Sequence, residues 1–122
     1  MTMILAIALG GGIGSVARHY ASAAFSNGFP YGTLFVNVLG SLLIGALVEI
    51  MALKWDVSLE IRAFLVTGFL GGFTTFSAFS LDVLKLAETN QYFSALAYVA
   101  LSVTLSLAAA FAAMHTLRAV LS

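Results

Sequence analysis

Residues 68–80, Gly-Phe-Leu-Gly-Gly-Phe-Thr-Thr-Phe-Ser-Ala-Phe-Ser, combine residue types that could bind ions within an apolar segment. Glycines followed by two β-branched threonines form a continuous helix poorly, so the pattern predicts a broken helix. Such a break frees backbone groups, and breaks at membrane depth commonly bind ions. Phe76 and Phe79 would share one face beside it. Their electropositive ring edges could face an anion, although ordinary contacts with lipid or core explain the pair equally well.

Asn37 is a second polar residue that an apolar segment must accommodate. Asn37, Ser41 and Gly45 recur at four-residue spacing and therefore form one narrow, partly polar helix stripe. A packing seam, in which the amide hydrogen-bonds to a neighbouring helix, is the simpler interpretation. An amide that lines an ion route is the alternative.

Three hydroxyl groups repeat at the same spacing near the end of the chain, at Tyr98, Ser102 and Ser106. They could satisfy one another at a helix interface, or they could line a narrow route for an ion that needs hydrogen-bond donors. A hydroxyl can donate to an anion, whereas an ionised carboxylate can only accept. The spacing leaves both interpretations open.

The elements that would position these residues follow from composition. The chain has 122 residues, of which 61% are hydrophobic and 8% charged, against about 45–50% and about 25% in an ordinary soluble domain. A soluble domain of this size could not bury so much apolar surface, so the composition indicates an integral membrane protein. Since a transmembrane helix needs about 20 residues, four helices fit. We predict an all-α protein with one four-helix domain, whose third helix is broken mid-membrane and whose spans cover about residues 3–25, 32–53, 61–84 and 92–117.

Charge, cysteine content and motif spacing argue against several function classes. The chain has no net charge and no basic stripe, which argues against a nucleic-acid partner. It has no cysteine, and therefore no thiolate nucleophile. The sequence contains no pair of carboxylates and no Ser/His/Asp set that would suggest an enzyme. The run Gly10-Gly11-Gly12-Ile13-Gly14 does not fit the dinucleotide-binding pattern, because Ser15 holds the final glycine position.

The distribution of basic residues does not choose an orientation in the membrane. With four spans, one side receives Lys54, Arg62 and Arg118, and the other receives Arg18 and Lys85. This difference is too small for the positive-inside rule to act on. Either partners orient the protein, or copies insert both ways and pair antiparallel.

The residues described above, with their neighbours, form four motifs, and through them the sequence resembles the small bacterial fluoride channels of the Fluc or CrcB family over essentially its whole length. The motifs are Gly11-Gly12-x-Gly14-x-x-x-Arg18, Gly32-Thr33-Leu34-x-x-Asn37-x-x-Gly40, Gly68-Phe69-x-Gly71-Gly72-x-Thr74-Thr75-Phe76-Ser77-x-Phe79-Ser80, and the series Tyr98, Ser102 and Ser106. The third motif is specific enough to identify the family alone.

The resemblance implies a fluoride-selective channel that exports cytoplasmic fluoride passively across the bacterial cytoplasmic membrane and thereby gives fluoride resistance. It implies an antiparallel, dual-topology homodimer in the lipid bilayer, with two fluoride pores and a structural sodium ion at its centre. Backbone carbonyls of Gly71 and Thr74 from both copies would hold the sodium. The fluoride pathway that the motifs imply consists of Asn37, Phe76, Ser77, Phe79, Tyr98, Ser102 and Ser106.

Two positions depart from the family pattern. Ala78 stands where the family usually has Thr, which removes one hydroxyl, and Asp82 stands where it usually has the longer Glu. A small multidrug exporter is the main rival from another functional class, but it would need a glutamate in the first span, which has no carboxylate. A non-conducting accessory subunit would need neither the broken span nor the hydroxyl series.

Overall fold

The computed structural model describes residues 2–25 and 28–122, and these residues form four helical segments separated by short connections. The first helix is Thr2–Ala23, the second is Tyr31–Leu53, and the last is Tyr92–Leu121. The third span, Leu59–Glu88, is built from several pieces. All four segments are long and apolar enough to cross a membrane, as composition predicted.

The third span changes helix type before it is interrupted. It consists of α-helical Leu59–Arg62, π-helical Ala63–Leu70, α-helical Gly71–Phe73 and, after the interruption, α-helical Phe76–Glu88. Gly71 caps the π-helical part, and its N–H bonds to the carbonyl oxygen of Val66, five residues back. We refer to residues 59–73 as the N-terminal half and to Phe76–Glu88 as the C-terminal half.

The interruption falls on the threonines, and the glycines before it remain helical. Thr74 (φ −91°, ψ 155°) and Thr75 (φ −153°, ψ 125°) are extended. Gly71 and Gly72, which the composition of the motif suggested as helix breakers, lie inside a helical turn. The small size of Gly72 serves packing instead, because Gly72 meets the backbone of the first helix, whereas a Cβ on Gly71 would meet only the carbonyl oxygen of Val66 at 3.8 Å.

The helices pack mainly as two pairs. The second helix lies along the last helix, and the first helix lies against the N-terminal half of the third span. The C-terminal half packs on the last helix. Where the second and last helices end, buried Glu49 accepts two hydrogen bonds from Arg118, at 3.1 Å from Nε and 3.2 Å from Nη2. This ion pair satisfies a carboxylate that would otherwise be costly to bury.

Glycines allow the first helix and the third span to touch backbone to backbone. A Cβ placed on Gly14 would collide with the carbonyl oxygen of Phe69, and one on Gly72 would lie 2.5 Å from the carbonyl oxygen of Gly11. Membrane helices associate through such close packing because lipid provides no hydrophobic drive between them. The glycine seam therefore sets the rotation of the first helix relative to the third span.

Replacing Gly14 by Ala should separate these two helices, because backbone atoms cannot move aside as a side-chain tip can. We expect a loss of about 1–3 kcal/mol or more of stability, measured as earlier thermal unfolding in detergent. Gly12→Ala is the matched control, since a Cβ there would meet nothing within 4 Å. Equal damage from both substitutions would show that close packing at Gly14 is not the cause.

Candidate functional site

Asn37 binds the residue at which the third span is interrupted. Its Nδ2 donates to the carbonyl oxygen of Thr75 at 3.0 Å, and its Oδ1 accepts from the N–H of Thr75 at 2.8 Å. The side chain thus replaces helical partners that an extended residue has lost. Because an amide has two N–H donors, one donor of Asn37 is left beyond these two bonds.

Thr75 also begins the C-terminal half of the third span. Its Oγ1 accepts from the N–H of Ala78 at 3.1 Å, which is a helix N-cap. The same oxygen lies 3.2 Å from Oγ of Ser77, which is exposed. Asn37 and this cap together fix the backbone just after the break.

Arg18 and Leu70 satisfy the backbone before the break. Arg18 Nε donates to the carbonyl oxygen of Gly72 at 3.0 Å. Leu70 accepts from the N–H and the hydroxyl of Thr74, at 3.0 and 2.9 Å. Within the described residues, the carbonyl oxygens of Gly71 and Thr74 accept no hydrogen bond across the break. These backbone oxygens at the break are therefore available to another ligand.

A crevice of about 510 Å³ lies beside the break, between the second helix, the third span and the last helix. Its lining includes most of the site residues that the sequence predicted, namely Asn37, Gly71, Thr74, Phe76, Phe79, Ser102 and Ser106. Ser41, Thr75 and aliphatic side chains complete it. None of the described residues that line it carries a formal charge. The crevice therefore offers hydroxyl, amide and aromatic groups in an otherwise apolar wall.

The two phenylalanines occupy different environments. Their ring centroids are 5.4 Å apart with a 44° tilt, so they form one aromatic pair. Phe76 is 78% exposed, whereas Phe79 is half-buried with its ring 5.2 Å from that of Tyr98. Phe76 consequently has a free ring face and edges, while Phe79 is held in place by the last helix.

Ser102 carries a hydroxyl group that forms no hydrogen bond within the described residues. Its side-chain oxygen is buried, and no described residue within hydrogen-bond distance pairs with it. An unsatisfied buried hydroxyl is unfavourable, so this group favours a water or ligand in the crevice. Ser106, one turn further along, lines the same crevice and is half-buried.

Tyr98 and Ser77, which were predicted on the same route, do not line this crevice. Tyr98 is fully buried and donates its hydroxyl to Oδ2 of Asp82 at 3.0 Å. Its ring packs edge-on against Phe29 at 5.6 Å. The hydroxyl series is therefore divided, with Tyr98 bound within the core and the two serines facing the crevice. That all four of these residues lie on an ion route stays a prediction.

Asp82 connects the core to a second cavity. This polar cavity of about 540 Å³ lies between the end of the first helix and the end of the third span. Its lining includes Asp82, His19 and Lys85. Asp82 thus touches the cavity and Tyr98, whose ring in turn packs on Phe79 of the crevice.

Sequence reasoning missed three contacts of this site. It placed Asn37 on a polar stripe without identifying Thr75 as its partner, and it gave Arg18 no role. It noted Asp82 only as a shortened residue, whereas the carboxylate accepts from Tyr98. The sequence partly predicted the pairing of Asn37, since one of the two interpretations of its stripe was a hydrogen bond to a neighbouring helix.

Four helices that could cross a membrane, with polar groups converging on a broken span, define a small multi-pass membrane protein. The chain belongs to the CrcB family, because the model of that family, described as "CrcB-like protein, Camphor Resistance (CrcB)", matches residues 5–114.

Curated relatives match almost the whole chain. A protein of Rhizobium johnstonii is 48% identical over 98% of both chains, and one of Rhizobium meliloti is 50% identical over the same share. A protein of Granulibacter bethesdensis is 50% identical over 97% of this chain and 96% of its own. Each of these relatives is named "Fluoride-specific ion channel FluC".

Proposed function

We propose that the protein is a fluoride-specific ion channel that exports cytoplasmic fluoride down its electrochemical gradient and so confers fluoride resistance. The observation that carries this proposal is the uncharged, donor-lined crevice at the broken third span, in a chain that matches fluoride-specific channels over nearly its full length. The protein acts as a channel and not as an enzyme. Fluoride that has entered as neutral HF and dissociated would leave by this route.

The chemistry of the crevice suits a small, strongly hydrated anion. A narrow pore must replace part of the hydration shell of fluoride with hydrogen-bond donors. The remaining N–H of Asn37 and the hydroxyls of Ser102 and Ser106 can donate, and the edges of Phe76 and Phe79 are electropositive. A fixed Lys or Arg in the lining would risk trapping the ion, since conduction requires weak binding as well as entry.

The experiment that tests this function measures ion efflux from liposomes. Purified protein should release fluoride from loaded liposomes and leave chloride inside, with the rate set by the gradient and independent of a proton gradient. Chloride efflux at the fluoride rate would exclude a fluoride-specific channel. Fluoride efflux that required an opposing proton gradient would indicate an exchanger instead.

We also propose that the working unit is an antiparallel homodimer in the bacterial cytoplasmic membrane, with the break at mid-membrane. Phe76 supports this assembly, because its 78% exposure beside a polar crevice suits a face that a second copy covers. A C-terminal tag should be reached by impermeant reagents from both sides of the membrane. A single orientation at normal expression would contradict dual topology.

The free carbonyl oxygens at the break fit a structural sodium ion. Gly71 is exposed and Thr74 is half-buried, and both lie at the crevice. Carbonyl oxygens are hard, uncharged ligands of the kind that half-helix ends present to sodium in transporters. Bound there, sodium would supply a fixed positive charge between the copies. Exchange of sodium for a large organic cation should weaken the dimer in detergent, and unchanged dimer stability would argue against the site.

A further inference from the structure

The break in the third span releases a specific set of backbone groups. In an unbroken α-helix the N–H of Phe76 would bond to the carbonyl oxygen of Gly72, and that of Thr75 to Gly71. Phe76 instead begins a new helix, and the N–H of Thr75 bonds to Asn37. The carbonyl oxygen of Gly72 has a different partner, Nε of Arg18 on the first helix.

We propose that Arg18 is a positioning residue of the break, which determines the backbone oxygens that remain free for ions. By binding Gly72 from the first helix, it fixes the chain before Thr74, while Asn37 of the second helix fixes the chain after it. The oxygens of Gly71 and Thr74 are among those that stay without a partner in the described residues. This inference deepens the proposed function. Its consequence for fluoride efflux rests on that function, whereas the hydrogen bond between Arg18 and Gly72 does not.

Arg18 lies beside the C-terminal end of a helix, where the positive charge of an arginine is favourable. The N-terminal half of the third span ends at Phe73, and the last carbonyls of a helix carry partial negative charge. A guanidinium near such an end is stabilising and forms a charge-assisted hydrogen bond. The glycine seam sets this geometry, since Gly14 packs on Phe69 one turn before Arg18 meets Gly72. A charge in a membrane segment is energetically unfavourable, and the hydrogen bond to Gly72 gives the charge of Arg18 a partner there.

Three substitutions separate the hydrogen bond of Arg18 from its charge. Gln carries an N–H donor the same number of bonds from Cα as Nε of Arg, but it is neutral. Met matches the length and has no donor, while Lys keeps the charge and moves the donor one atom further out. Arg62→Met is the matched control, because Arg62 is exposed at the start of the third span.

The primary measurement is amide hydrogen exchange in a peptide that contains Thr75, with the protein in nanodiscs, followed by fluoride efflux. Arg18→Met should accelerate exchange at Thr75 about tenfold or more, as expected for loss of a hydrogen bond to a charged group, and should lower efflux. Arg18→Gln should stay within about threefold of the parent in both measurements, as expected where the bond is retained. Arg62→Met should change neither.

Two results would overturn the proposal. One is an Arg18→Met protein that exchanges at Thr75 like the parent. The other is recovery by Lys but not by Gln, which would make the charge rather than the bond the cause. The failure of the proposed function is a separate outcome, because exchange does not depend on fluoride. A parent protein that passes no fluoride, with faster exchange in Arg18→Met, would disprove the channel and uphold the role of Arg18.

Discussion

Asn37→Asp should lower fluoride efflux by about tenfold to a hundredfold while the protein still assembles. The substitution replaces the Nδ2 donor with a carboxylate oxygen, which would face the carbonyl oxygen of Thr75 at the present 3.0 Å contact. Loss of a buried hydrogen bond with an acceptor left unpaired costs about 1–3 kcal/mol, and each 1.4 kcal/mol corresponds to about tenfold in rate. An ionised Asp would also repel the anion through its negative charge, and it would offer the anion no hydrogen-bond donor.

Asn90→Asp is the matched control for this experiment. Asn90 is exposed in the connection between the third span and the last helix, and its backbone is left-handed (φ 61°), a conformation that Asp also tolerates. The control should leave liposome efflux at the parent rate. A folded Asn37→Asp protein with parental fluoride efflux would remove Asn37 from both the pathway and the support of the break.

The helices were predictable from sequence because their signals are local. Apolar length alone gives four spans, and the change from glycines to threonines in residues 68–80 indicates a weak point in the third span. The location of the break was less predictable. Thr74 and Thr75 are extended while Gly71 and Gly72 stay helical, and Gly72 is needed where the first helix approaches.

The contacts between helices could not be derived from spacing. A four-residue repeat shows that Asn37 and Ser41 share a face, but it does not show which helix they meet. The partner of Asn37 is 38 residues away in sequence and that of Arg18 is 54. Both pairings depend on the rotation of neighbouring helices, which the glycine seam sets only between the first helix and the third span. The hydroxyl series shows the same limit, because Tyr98 turns to Asp82 while Ser102 lines the crevice.

Phe76→Ile should reduce fluoride efflux about tenfold or more without loss of the fold. Phe76 lines the crevice and is 78% exposed in the single chain, so its ring contributes little to packing within that chain. Isoleucine keeps apolar bulk but removes the electropositive ring edge, and a tenfold effect corresponds to a contribution of about 1.4 kcal/mol from that edge to an anion that has lost part of its water. Phe79→Ile is a less specific test, because Phe79 also packs against Tyr98.

Phe93→Ile provides the comparison for Phe76→Ile. Phe93 is 86% exposed in the first turn of the last helix and does not line the crevice. Both proteins should elute and unfold like the parent, and only Phe76→Ile should lose fluoride efflux, since only that ring edge faces the proposed route. If Phe76→Ile assembled normally and released fluoride at the rate of Phe93→Ile, the aromatic pair would not contact the ion. The crevice would then depend on the amide of Asn37 and the serine hydroxyls alone.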